Sequence, residues 1–122
     1  MASGPMKTFD VTTEDRGKAV HIRLSGELDI STAPKVEDEL ARVEPNRPDL
    51  IILDLSKLGF MDSTGLRLLI AADTRARQEG RRLTIVKGPE SVQRVFRITR
   101  LEERLEIVDE VPANGAERPA SA

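Results

Sequence analysis

Phe60-Met61-Asp62-Ser63-Thr64-Gly65-Leu66 gathers a carboxylate, two adjacent hydroxyls and a glycine in one short segment. An apolar run over 50–53 precedes it, a polar break spans 54–59, and an amphipathic stretch follows as far as Gly80. That order reads as a buried strand, a loop, and a helix whose first turn carries Ser63. Free backbone N–H groups and the positive end of the helix dipole meet at such a helix start, so a phosphate can be received there. With Asp62 beside it, and Asp29 expected nearby in space, a phosphate on Ser63 would change the local charge strongly. The pattern points to a phosphorylation switch rather than to an active site. Capping of the helix is the plainer role for Ser63, and Thr64 is a second hydroxyl better suited to supporting the helix start.

Enzymatic arrangements fare badly. Asp62-Ser63-Thr64-Gly65 carries one residue too many for the Asp-Ser/Thr-Gly of aspartic proteases, and the helical pattern around it does not suit that chemistry. A Ser–His pair would need His21, the single histidine, to reach Ser63, and no Gly-x-Ser-x-Gly elbow exists. Walker-type and Gly-x-Gly-x-x-Gly loops are also missing. The chain has no cysteine, which removes disulfides, thiolate nucleophiles and Cys-based zinc sites together. No catalysis, cofactor or metal is expected.

At 122 residues the chain is expected to form one domain. A net charge of −2 supplies no basic field for nucleic acid, and 2% aromatic content leaves few platforms for base stacking. No apolar run approaches the length of a membrane span and no signal-peptide core precedes the first strand, so no membrane insertion and a cytoplasmic location are expected.

The elements must place Ser63 at a sheet edge. Phe9, Val11 and Thr13 alternate with polar residues as a half-buried strand does, and Asp15-Arg16-Gly17-Lys18 makes a hairpin turn. A second strand over 19–24 puts Val20, Ile22 and Leu24 on one face and His21 and Arg23 on the other, with His21 expected at the surface or under a helix. Residues 25–29 are expected to leave the sheet. Ser31 or Thr32 would cap a first helix carrying Ala33, Val36, Leu40 and Val43 on its apolar stripe, with Pro34 in its first turn. The apolar run over 50–53 reads as a central parallel strand. The second helix, over 63–79, buries Gly65, Leu68, Leu69, Ala72 and Ala76, with Gly80 just past its end. A strand over 82–87, a helix carrying Val92, Val95 and Phe96, and a short edge strand within 105–108 complete the order. The expected fold is α/β: a mixed, mostly parallel sheet of four to five strands with helices mainly on one face. A flexible lead over 1–6, a domain over 7–111 and a disordered tail over 112–122 are expected on composition.

Three segments make the chain resemble the STAS family, and within it the single-domain anti-sigma factor antagonists of bacteria. They are Ser25-Gly26-Glu27-Leu28-Asp29, Leu53-Asp54-Leu55 and Phe60-Met61-Asp62-Ser63-Thr64-Gly65-Leu66. The likeness spans roughly 7–110. It implies that Ser63 is phosphorylated by a partner serine kinase that is also an anti-sigma factor. The unphosphorylated antagonist would bind that kinase and free the sigma factor; a metal-dependent Ser/Thr phosphatase would reset the cycle. The partner-binding surface it implies comprises Gly26, Glu27, Asp29, Asp62, Ser63, Thr64, Gly65 and Arg67.

Several of these residues have simpler roles as well. Gly26 and Gly65 fit tight turning and close packing, Asp29 can satisfy loop amides, Asp54 reads as structural, and Asp62 reads as a charge near the helix start or as a general base. Arg67 departs from the small residue of close relatives, and the final helix of typical members is shortened or replaced by the polar tail. Two rivals remain: a STAS subunit that docks to a lipid-transport ATPase, and a small nucleotide-binding sensor module.

Overall fold

The computed structural model describes residues 9–112. The lead over 1–6 and all of the expected tail except Pro112 lie outside the described residues. Strand β1 (Asp10–Arg16) turns at Gly17, whose φ of +77° suits a tight hairpin, into β2 (Ala19–Leu28), and the two pair antiparallel. Helix α1 (Ala33–Val43) then leads to β3 (Leu50–Met61), helix α2 (Ser63–Gln78) to β4 (Arg82–Val86), and helix α3 (Glu90–Thr99) to β5 (Ile107–Val108). The sheet order is β1-β2-β3-β4-β5, with every pair after the first parallel. This is the expected mixed, mostly parallel sheet, with five strands among the described residues.

Sequential order with crossovers of one hand gathers the helices on one face. Val36, Leu40 and Val43 of α1, Leu68, Leu69, Ala72 and Ala76 of α2, and Val92 and Phe96 of α3 join one core with Val20, Ile22, Leu24, Ile51, Leu53, Leu55, Leu83 and Ile85 of the sheet. The opposite sheet face is a smaller apolar layer of Ala19, Leu50, Ile52 and Val86, against which Val108 and Val111 pack. Among the described residues no helix contributes to it. Both faces of β3 are therefore covered, which is why residues 50–53 run apolar without alternation.

Three expectations are corrected. Residues 25–29 do not all leave the sheet, because β2 continues to Leu28; and the polar break over 54–59 is not a loop, because β3 continues to Met61. The reason is a pair of irregularities: β3 gains one residue on β2 between the partners Arg23/Ser25 and another between Gly26/Glu27. Each bulge adds one position to the strand's period of two. The inward residues therefore become Leu55, Leu58 and Met61, a spacing of three that hides the strand in the sequence. Finally, His21 is not at the surface, and no helix among the described residues covers it: it is buried on the sheet face opposite α1, α2 and α3 and hydrogen-bonds Asp54.

Candidate functional site

Helix α2 begins where it does because Asp62, extended at φ −107° and ψ −168°, takes the N-cap position and its Oδ1 accepts the Thr64 N–H at 2.8 Å. The cap expected of Ser63 is thus supplied by its neighbour. Ser63 occupies the first helical position, is exposed, and among the described residues its hydroxyl makes no hydrogen bond. Such a hydroxyl can be modified without breaking the helix start. Thr64, half-buried, contributes its amide to the cap.

The floor beneath Ser63 is fixed by packing. Asp62 N–H donates to Leu28 O at 3.2 Å, and Leu28 and Met61 are register partners. A Cβ on Gly65 would lie 2.7 Å from Met61 Cγ and 2.8 Å from Leu28 Cγ and Cδ2, so only glycine lets α2 approach this closely. Gly65 is buried, and its place is in packing beneath the surface rather than on it. Gly26, with φ +98°, stands on β2 opposite the second bulge, in a backbone conformation that glycine adopts most readily.

The neighbouring strand end is shaped by Asp29. Its Oδ1 accepts from Ser31 N at 2.9 Å, Ser31 Oγ at 2.7 Å and Thr32 N at 3.3 Å. The Ser31 bonds, hydroxyl first and then amide, are the main reason its carboxyl lies below the usual range. Thr32 stands at the N-cap of α1 but does not cap with its side chain. Its hydroxyl instead donates to Glu27 O at 2.7 Å and accepts from Asp29 N at 2.9 Å, tying the loop back to β2. Glu27, half-buried, is the register partner of Phe60, and Arg67 is exposed one turn along α2 from Ser63.

The structure thus brings Gly26, Glu27, Asp29, Asp62, Ser63, Thr64 and Arg67 to one edge, at the C-terminal ends of parallel strands. Two apolar residues that the sequence does not assign to the surface belong to the same edge. Ile30 is 79% exposed and Phe60 45% exposed. The signal for Ile30 was an apolar residue amid turn formers; Phe60 gave none, since a strand with a period of three disguises which face it takes. No group of three or more His, Asp or Glu that could hold a metal occurs among the described residues.

The family model described as "Mlab, STAS domain" matches residues 11–109. The chain belongs to the STAS domain family. It is 30% identical over 99 residues to the anti-sigma-B factor antagonist of Staphylococcus aureus, covering 81% of this chain and 90% of the relative. To the anti-sigma-B factor antagonist of Listeria monocytogenes it is 33% identical over 88 residues, 72% of this chain and 77% of that one. An anti-sigma factor antagonist from Mycobacterium paratuberculosis has a crystal structure with the same fold: TM-score 0.76 at 24% identity, covering 90% of this chain and 92% of the other. Within the STAS family the chain groups with the single-domain anti-sigma factor antagonists.

Proposed function

We propose that this STAS domain is a partner-switching antagonist whose state is written on Ser63. Unphosphorylated, it binds an anti-sigma factor that is also a serine kinase and so releases a sigma factor. In the docked complex the Ser63 oxygen attacks the γ-phosphorus of ATP, ADP leaves, and the hydroxyl proton passes to a base on the kinase. A metal-dependent Ser/Thr phosphatase removes the phosphate by hydrolysis.

One observation carries this reading: an exposed Ser63 hydroxyl, free of hydrogen bonds among the described residues, on the first turn of a helix already capped by Asp62. Phosphoserine carries about −1.5 to −2 charges at neutral pH. At ~5 Å and an effective dielectric of ~20, each pair of like unit charges costs roughly 3 kcal/mol. In the free protein, water and the helix N-terminus offset that cost. At a docked interface the water is gone, and a few kcal/mol amounts to a hundredfold or more in affinity. No refolding is required.

The test is incubation of the full chain with ATP and, one at a time, the ATPase-type serine kinases of its source genome, read by intact mass and site mapping. A single phosphate that disappears in Ser63→Ala supports the switch. No transfer from any of them favours instead a STAS subunit docking on a transport ATPase.

A further inference from the structure

His21 has no part in the switch as described, yet it sits in a built polar site on the sheet face opposite α1, α2 and α3. Its side chain is 2% exposed, and Nε2 lies 2.8 Å from Oδ2 of Asp54, a side chain 3% exposed. Nδ1 faces Glu14 Oε1 at 3.7 Å, and Arg23 Nε lies 3.7 Å from the same Asp54 oxygen. The other Asp54 oxygen, Oδ1, accepts the Ser56 amide at 2.9 Å and the Ser56 hydroxyl at 2.7 Å. Burial acts most strongly on Asp54 and raises its pKa. The Ser56 bonds, the His21 bond and the imidazole charge together outweigh it, and the carboxyl titrates below the usual range.

Ser56 lies inside the first bulge of β3, between the register pairs Arg23–Asp54 and Ser25–Lys57. An inserted residue disrupts the ladder and increases the local twist; here the amide within it is held by Asp54. From that point β3 runs through its second bulge to Met61 and directly into Ser63. A small apolar pair in place of His21 and Asp54 would cover the face as Leu50 and Ile52 do beside them, without the cost of desolvating a charged network. What the network adds is a single geometry for Asp54.

We propose that His21 is a positioning residue for the Ser63 switch. It fixes the Asp54 carboxylate, Asp54 fixes the first bulge of β3, and the bulge sets how Ser63 is presented to the kinase. This rests on Ser63 being the phosphoacceptor. The charged groups around the ring are Glu14, with Arg16 bonded to it, from β1, Arg23 from β2 and Asp54 from β3.

The experiment compares the full chain with His21→Leu, which removes the hydrogen bond to Asp54 Oδ2, and with His21→Gln, whose side-chain amide can still donate to it. In His21→Leu the amide signals of Ser56 and Lys57 shift, and the shifts continue to Asp62, Ser63 and Thr64. Solvent exchange of the Ser56 amide speeds by about tenfold or more. In the kinase reaction the KM for the antagonist rises by about tenfold or more, with little fall in kcat. His21→Gln restores all three. Shifts that stop short of Asp62, or a lowered Tm with KM unchanged, overturn the proposal. Should no kinase phosphorylate Ser63, the function proposed above fails, while the amide shifts still decide the positioning role. Should His21→Leu not fold, Glu14→Gln perturbs the ring from its exposed side, and the same run of shifts at smaller amplitude is required of it.

Discussion

Leu28 and Met61 are direct register partners in the parallel pair of β2 and β3, and the next residue in each chain segment is an aspartate. Neighbouring strands lie about 4.8 Å apart, so Asp29 and Asp62 leave the sheet from adjacent points on the edge that presents Ser63. Both carboxylates are already engaged with local amides, Asp29 with Ser31 and Thr32, Asp62 with Thr64. They cannot swing away from an incoming phosphate without uncapping their own loops. The negative charge around Ser63 is therefore fixed by the backbone, and a third charge there must be opposed by the partner's surface or by water.

Ser63→Glu should weaken the antagonist–kinase complex by about a hundredfold, since a carboxylate supplies a large part of the phosphate charge and a few kcal/mol of repulsion gives that factor. Ser63→Ala should bind at least as well as the natural chain. Calorimetry with the purified kinase measures both. Amide shifts confined to residues near 26–30 and 58–70 in Ser63→Glu would accompany the loss; binding unaffected by the glutamate would defeat the switch.

Asp62→Ala should remove the α2 cap and cost about 1 kcal/mol, within the usual 0.5–2 kcal/mol range for a lost N-cap. In a domain of this size that lowers Tm by roughly 4 °C. Asp62→Asn keeps an oxygen for the Thr64 amide and should recover most of the loss. The pair separates capping from charge: a kinase that reads the carboxylate will discriminate against both variants, although only one is destabilised.

The hairpin, the three helices and the parallel order of the sheet were legible because each follows a simple period. The stripe Ala33, Val36, Leu40 and Val43 is the buried face of α1, and residues 50–53 are buried on both sides. The helix start at Ser63 was legible as well, although the cap fell to Asp62. Hidden from the sequence was everything that depends on the bulges. Leu55, Leu58 and Met61 follow neither the strand nor the helix period, so Phe60 was not recognised as an exposed strand residue and the continuation of β2 to Leu28 had no visible partner. The pairing of His21 with Asp54 joins residues on different strands, and no local pattern announces it.

Acid should destabilise the protein through Asp54. Its folded pKa is depressed, so its contribution is fully present above the unfolded carboxylate value of about 4 and is lost as pH falls through the folded value. Asp54→Asn should therefore be less stable than the natural chain at neutral pH, and the gap should narrow steadily below pH ~4. Urea denaturation from pH 7 down to pH ~3 measures it. A gap that stays constant across that window would mean that the carboxylate charge contributes nothing to holding the bulge.

Gly65→Ala sets two effects of known sign against each other. Alanine gains up to about 1 kcal/mol over glycine in a helix interior, and less in the first turn, where Gly65 sits. Against this, the new methyl would meet Met61 and Leu28 at 2.7–2.8 Å. Both side chains are essentially inaccessible to solvent. Overpacking of this kind costs about 1–3 kcal/mol, so the clash should win and the variant should lose stability, with Gly65→Val losing more. Because the strain would push α2 away from the Leu28–Met61 floor, the amides of Asp62 and Ser63 should shift along with the fall in stability. An alanine variant as stable as the natural chain, with those amides unmoved, would show that α2 rests less tightly on the sheet than these distances require.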